Sequence, residues 1–91
     1  MLFDWDLQKA KINEKKHGIN FLQAMTVFDD EYAVYINDDD HSDEEERFIV
    51  LGMSEEHELL MVCHCYRDED NIIRIFSARK ANKKEEKMYR R

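Results

Sequence analysis

Two arginines lie inside stretches that otherwise resemble apolar strands. Arg47 opens a predicted strand in which Ile49 and Leu51 share its face. Arg74 lies within residues 72–76, where every other residue is Ile or Phe. Because burying an unpaired guanidinium is costly, two environments are open to each arginine. Each pairs with a carboxylate, or each faces a groove that binds an anion, and its planar fork of donors suits phosphate.

Positive charge is concentrated near the carboxyl end of an acidic chain. The protein has 91 residues and a formal net charge of −7. Residues 74–91 carry eight Lys/Arg against two Glu, and residues 29–46 carry ten Asp/Glu and no Lys/Arg. A basic segment on an acidic protein indicates a local anion site, such as a phosphate backbone or an acidic partner.

Four histidines supply the side chain that most often carries protons near neutral pH. His17 follows Lys16 at the predicted end of a helix, and His64 lies in a predicted strand. These two are the better candidates for proton transfer because they neighbour basic segments. The sequence does not reveal a Ser–His–Asp or Cys–His arrangement.

Two clusters resemble fragments of metal sites, but neither predicts one. The acidic run 38–46 lacks the central glycine and the flanking helices of an EF-hand loop. In Cys63-His64-Cys65, alternation along a strand places the cysteines on one face and the histidine on the other, so the three cannot converge on one zinc ion. We interpret both cysteines as reduced, buried apolar surface on the core side of the sheet.

The pattern of apolar residues and caps predicts an α+β fold in one domain, residues 1–91, with two N-terminal helices, a four-stranded, mainly antiparallel sheet and a C-terminal helix. The first helix starts after Asp4 or Asp6 and stops at Gly18. Asn20 and Asn82 cap the other two. The predicted helices are Trp5–Lys16, Phe21–Phe28 and Asn82–Arg91. The predicted strands are Tyr32–Ile36, Arg47–Gly52, Leu59–Tyr66 and Asn71–Ser77.

The start of the chain has no apolar run typical of a signal peptide, and no segment approaches the length that crosses a bilayer. We therefore expect a cytoplasmic protein that does not bind membranes.

The ordered set of residues resembles the BrnT family of bacterial type II toxins, and the resemblance spans almost the whole chain. The matching residues are Phe3, Trp5, Asp6, Lys9, Asn13, Lys16, His17, Gly18, Phe21, Ala24, Val27, Phe28, Asp30, His41, Glu46, Arg47, Gly52, Leu59, Leu60, Val62, Arg74, Ile75, Ser77, Ala78, Arg79, Asn82, Glu85 and Tyr89. The resemblance implies a RelE-like ribonuclease fold and a toxin that cuts RNA and arrests translation. It also implies a partner, a BrnA-type antitoxin with a ribbon-helix-helix DNA-binding region. The toxin would then bind operator DNA only indirectly, through that antitoxin.

Seven residues are candidates for handling RNA, on the basis of matched positions and residue chemistry. Metal-free cleavage uses the 2′-hydroxyl of the RNA as nucleophile, so the protein supplies a base, an acid and cations, and no cofactor. The predicted phosphate clamp is Arg47, Arg74 and Arg79. Lys16 and His17 are predicted to provide a cation and proton transfer. Lys80 and Tyr89 are predicted to contact RNA.

Two other functions remain open from the sequence. The acidity of residues 29–46 also suits a non-catalytic, toxin-like module that only engages the antitoxin and modulates transcription. The region 55–58 also supports the non-catalytic module, because it reads Glu-Glu-His-Glu where family members commonly carry an arginine, so a cation for RNA is lost. The third possibility is a small metal-binding domain.

Overall fold

The computed structural model describes residues 1–41 and 45–89, and its fold is α+β, as the sequence predicts. The helices are α1 (Leu7–His17), α2 (Phe21–Met25) and α3 (Lys83–Tyr89). The strands are β1 (Leu2–Asp4), β2 (Val34–Asn37), β3 (Phe48–Met53), β4 (Leu59–Arg67) and β5 (Ile72–Lys80). Short 3-10 segments cover Thr26–Asp29 and Asp39–His41. Within the described ranges, no helix is both long and apolar enough to span a membrane.

The sheet has five strands in the order β1-β5-β4-β3-β2, so the prediction of four strands was wrong. The strands β2 to β5 form the predicted antiparallel meander. The additional strand, β1, runs parallel to β5, with Phe3 opposite Ile73 and Asp4 opposite Arg74. A strand of three residues is too short to show an alternating pattern. Its partner lies about 70 positions away in the chain, so local sequence carries no sign of the pairing.

The capping residues define where the first two helices begin. Asp6 accepts hydrogen bonds from the backbone N–H groups of Gln8 and Lys9, and Gly18 ends α1 with a φ of 74°. Asp6 is therefore the cap, and Asp4 belongs to β1. Asn20 accepts from Gln23 N at 2.8 Å to start α2.

The second helix was predicted to continue as an α-helix to Phe28, but it tightens into 3-10 geometry after Met25. The hydroxyl of Thr26 donates to the carbonyl oxygen of Gln23 at 2.7 Å. Such a local side-chain bond competes with the regular backbone ladder, and it coincides with the change.

One face of the sheet is covered by helices α1 and α2 and by the 3-10 segment Thr26–Asp29. Gly52 allows the close contact there, since a Cβ at this position would lie 3.1 Å from both the Cβ and the carbonyl oxygen of Val27. The buried core on this face consists of Ile19, Phe21, Ala24, Val27, Val50, Leu60, Val62, Ile73, Ile75 and Ala78.

The two cysteines do not lie on the core side, which corrects the prediction. The predicted alternation holds, but His64 is the residue that faces the helices. It is fully buried, with its ring centroid 4.8 Å from that of Phe28. Cys63 is opposite Ile49 on the other face. The partners of β4 on β5 change from Ser77 to Ile75 between Cys63 and His64, so Phe76 is the extra residue of a β-bulge.

Helix α3 packs beside the sheet and begins with the predicted capping box. Asn82 Oδ1 accepts from Glu85 N at 2.8 Å, and Glu85 Oε1 accepts from Asn82 N at 2.9 Å. The predicted end of this helix at Arg90 and Arg91 lies outside the described residues, as do Asp43 and Glu44 of the acidic run.

Candidate functional site

A shallow groove runs where β5 meets the carboxyl end of α1. It consists of two adjoining depressions that share His17 and Ser77. The first is also lined by Ile49, Met61, Cys63, Ala78 and Arg79. The second is also lined by Lys9, Ile12, Asn13, Lys16 and Phe76. Ile49, Met61 and Cys63 lie on the sheet face opposite the helical layer, so helices do not fill this part of the sheet.

Asn13 holds α1 against β5 and thereby places Lys16 and His17 beside the groove. Its amide Nδ2 donates to the carbonyl oxygen of Ala78 at 2.9 Å, and Ala78 N donates to Asn13 Oδ1 at 3.0 Å. The same Nδ2 donates to Ile19 O at 3.0 Å. Strand β1 does not extend as far as Ala78, so the amide of Asn13 makes the hydrogen bonds that a neighbouring strand would make there. The last turn of α1 therefore lies next to Ser77.

Arg79 enters the groove with a fixed orientation. Its two terminal nitrogens each donate to one carboxylate oxygen of Glu85 at 2.8 Å. This bidentate contact lowers the pKa of Glu85 and raises that of Arg79. Because Glu85 is also bonded to Asn82 at the start of α3, the guanidinium is anchored to a helix.

Two further cations surround Phe76. The guanidinium carbon of Arg47 lies 3.9 Å from the centre of its ring, and Lys9 Nζ lies 5.7 Å from it. These are distances at which a cation is attracted to an aromatic ring. Arg47, just before β3, therefore packs on a ring that lines the second depression, without lining that depression itself.

The other three candidate residues are engaged in contacts away from the groove lining. Arg74 donates to Asp4 of β1 at 2.6 Å. Of the two environments open to it from the sequence, Arg74 therefore has the pair with a carboxylate. Lys80 pairs with Glu58 at 2.9 Å. The hydroxyl of Tyr89 donates to Asp30 at 2.6 Å, and burial together with this bond raises the pKa of Tyr89 to about 12.

The groove thiol is unsuited to nucleophilic or metal chemistry at neutral pH. Burial, reinforced by a bond from its sulfur to Asp38 at 3.4 Å, raises the pKa of Cys63 to about 12. A thiol that stays protonated is neither a nucleophile nor a good metal ligand. Among the residues described, no cluster of His, Cys, Asp and Glu could hold a metal ion.

His64 lies on the opposite side of the sheet from the groove. It is enclosed by the rings of Phe28, Tyr35, Phe48 and Tyr66. Burial lowers its pKa, so the ring is held neutral in a packed interior. Of the two histidines favoured from sequence, only His17 reaches open surface in the groove.

Sequence reasoning missed Lys9, Phe76 and Ser77 as groove residues. One signal was available for Lys9, because it lies four residues before Asn13 and seven before Lys16, on one face of a helix. Phe76 and Ser77 carried no comparable signal, since the bulge that presents them depends on their pairing with β4.

The groove is lined by the imidazole of His17, the ammonium groups of Lys9 and Lys16 and the guanidinium of Arg79, and Arg47 stacks on its Phe76. Such a set can transfer protons and stabilise negative charge on a phosphate without a metal ion. A family model described as the ribonuclease toxin BrnT of type II toxin–antitoxin systems matches residues 5–85. No curated protein matches the chain.

Proposed function

The chain belongs to the BrnT family of ribonuclease toxins of type II toxin–antitoxin systems, and we propose that it cleaves RNA in the groove between α1 and β5. The observation that carries this proposal is that His17 and Arg79, which are distant in sequence, line the same open depression. Lys16 lines the depression beside it. A proton carrier and two cations therefore border one surface.

The groove residues suit cleavage by an internal nucleophile. The 2′-oxygen of the RNA attacks the adjacent phosphorus as a base removes its proton. The 5′-oxygen leaves and takes a proton, which yields a 2′,3′-cyclic phosphate and a 5′-hydroxyl. We assign proton transfer to His17 and stabilisation of the phosphate charge to Lys16, Arg47 and Arg79.

The remaining candidates have supporting roles in this proposal. Arg74, tied to Asp4, contributes positive charge at the base of β5. Lys80 is paired with Glu58, and Tyr89 is bonded to Asp30. Each contacts RNA only when a long substrate displaces that partner.

A type II toxin has a cognate antitoxin, and we propose that this one is a BrnA-type protein with a ribbon-helix-helix region. The chain would then reach operator DNA only through that partner, and would act in the cytoplasm, where its RNA substrate is. The acidic net charge of −7 supports an indirect role at DNA, because direct binding to a duplex is driven by cation contacts with phosphates.

Cleavage of a defined RNA by the purified toxin, in the presence of EDTA, tests the proposed site. We expect His17→Ala and Arg79→Ala each to lower the cleavage rate by about 100-fold or more, the range for losing a proton carrier or a charge-stabilising donor. The products should carry 2′,3′-cyclic phosphate ends.

Two matched controls keep the result specific. His57→Asn removes an exposed histidine at a φ of 64°, a conformation that asparagine tolerates. Arg67→Ala removes an exposed arginine that pairs with Glu45 outside the groove. Equal losses in the controls, or full activity in the groove variants, would place the chemistry elsewhere. A folded protein that binds the antitoxin but never cuts RNA would indicate the non-catalytic module.

A further inference from the structure

A partly exposed surface of aromatic side chains lies on the helical side of the sheet, next to the buried core. We call it the aromatic patch, and it consists of Phe3, Phe28, Tyr35, Phe48 and Tyr66. Ring centroids are 5.4 Å apart for Phe3 and Phe28, 6.4 Å for Phe28 and Tyr35, and 5.5 Å for Phe48 and Tyr66. Tyr35 is 51% exposed, and the other four are partly buried.

The aromatic patch and the groove lie on opposite faces of the sheet. Tyr35 is opposite Val50, and Tyr66 is opposite Ile73, and both partners belong to the core beneath the helices. The groove residues Ile49 and Cys63 alternate with these positions and point the other way. The two surfaces are therefore separate, and a partner can occupy one without filling the other.

Three acidic triplets flank the strands that carry Tyr35 and Tyr66, although the carboxylate of Asp38 turns to the groove side, where it accepts from Cys63. They are Asp29-Asp30-Glu31 before β2, Asp38-Asp39-Asp40 after it, and Asp68-Glu69-Asp70 in the turn between β4 and β5. Burial raises the pKa of Tyr35 and Tyr66, and the nearby carboxylates of Asp30 and Asp70, respectively, raise them further. Asp30 and Asp70 are therefore close enough to Tyr35 and Tyr66 to act on their hydroxyl groups.

We propose that the aromatic patch is the docking surface for the cognate antitoxin, through a segment that carries apolar side chains flanked by Lys or Arg. Exposed aromatic clusters are typical of protein interfaces, and tyrosine is frequent among the residues that contribute most to binding. The acidic triplets would pair with the basic flanks of the segment and repel the phosphates of RNA. They would also oppose a second copy of this chain, since two such surfaces would bring like charges together.

This inference rests on the proposed function only in that a type II toxin has an antitoxin. It does not require RNA to be cleaved in the groove. Failure of RNA cleavage with intact antitoxin binding would overturn the first proposal and leave this one standing, and the converse also holds.

Calorimetric titration of the toxin with the full-length antitoxin purified from the same operon tests the docking surface. Tyr35→Ala should weaken binding by at least about tenfold, as expected for an aromatic side chain at the centre of an interface. The double variant Asp68→Asn/Asp70→Asn should weaken it several-fold at low salt, and the difference should disappear at high salt. Both aspartates have positive φ, which asparagine tolerates, so this variant leaves the core untouched.

Leu22→Ala and Glu56→Asn are the matched controls, since both residues are exposed and lie away from the aromatic patch. Both should bind the antitoxin like the unchanged toxin. Wild-type affinity in the two patch variants would overturn the proposal. So would patch variants that lose affinity for a single-stranded RNA oligonucleotide but not for the antitoxin, or that convert a toxin dimer into a monomer.

Discussion

Glu85 and Arg79 form an ion pair that orients a cation at the groove. The contact is bidentate, with both N–O distances at 2.8 Å, and Glu85 is itself tied to Asn82. A partly exposed ion pair of this kind adds little to stability, about 0–1 kcal/mol. Its effect on the direction of the guanidinium is larger, because a bidentate contact leaves one orientation.

Glu85→Gln tests this positioning role. Glutamine still completes the capping box, so the thermal midpoint should change little, whereas RNA cleavage should fall about tenfold as the guanidinium loses its fixed direction. Parallel assays of melting temperature and cleavage rate separate the two effects. Glu86→Gln, the exposed neighbour, should leave both unchanged. An unaltered cleavage rate in Glu85→Gln would mean that Arg79 does not act from this orientation.

His64 makes stability depend on pH. Burial lowers its pKa in the folded protein below the ordinary value of about 6.5, so the unfolded chain binds more protons as the pH falls through that value. The stabilisation is complete above about pH 6.5 and is lost progressively below it. His64→Phe should flatten the unfolding free energy between about pH 7 and 5, as measured by urea denaturation. A variant that keeps the slope of the unchanged protein would assign this dependence to other groups.

At the scale of elements, α1 is hydrogen-bonded to β5 through the buried amide of Asn13. Asn13 satisfies both the N–H and the carbonyl of Ala78, as well as Ile19 O. These groups lie beyond the end of β1, so they have no strand partner on that side. The position of Lys16 and His17 therefore depends on the amide of Asn13.

Asn13→Ala should destabilise the protein by about 3 kcal/mol, because buried backbone groups lose their partners. Cleavage should also fall at temperatures where the variant is still folded, since the end of α1 is no longer held beside Ser77. Chemical denaturation and single-turnover cleavage measure the two effects. Gln8→Ala, on the exposed side of α1, is the control. A destabilised variant with full activity would show that α1 keeps its position without Asn13.

At the scale of the whole molecule, cations gather around the groove although the chain as a whole is acidic. Lys9, Lys16 and Arg79 line the groove, and Arg47 stacks on the ring of Phe76, which also lines it. A protein with net charge −7 can therefore present a local cationic surface to RNA.

RNA affinity should depend on salt as expected for a few phosphate contacts. With up to four groove cations and about −0.7 per phosphate of a single strand, the slope of log K against log salt should lie between about −1.5 and −3. Arg79→Ala should reduce its magnitude by about 0.7, and Arg67→Ala should not change it. Fluorescence anisotropy with a 2′-deoxy-substituted, uncleavable RNA measures the slope. A slope near zero, or one altered only by Arg67→Ala, would contradict binding in the groove.

Features that depend on neighbours within a few residues were predictable from the chain alone. The caps Asp6, Asn20 and Asn82 and the stop at Gly18 act on their own helices. The antiparallel meander follows from short connections between strongly patterned strands. The prominence of Arg47 and Arg74 followed from residue chemistry, that of Arg79 from its matched position in the family pattern, and the family from the order of matching residues.

Tertiary structure decided how those residues are used. Arg74 had two open environments, and only the parallel pairing of β1 with β5 brought Asp4 to it. The bulge at Phe76 and the amide of Asn13 together join α1, β3 and β5 into one groove. It was also tertiary packing that turned His64 toward the helices and Cys63 toward the groove. A strand's period of two separates its faces, but which face is buried depends on where the helices pack.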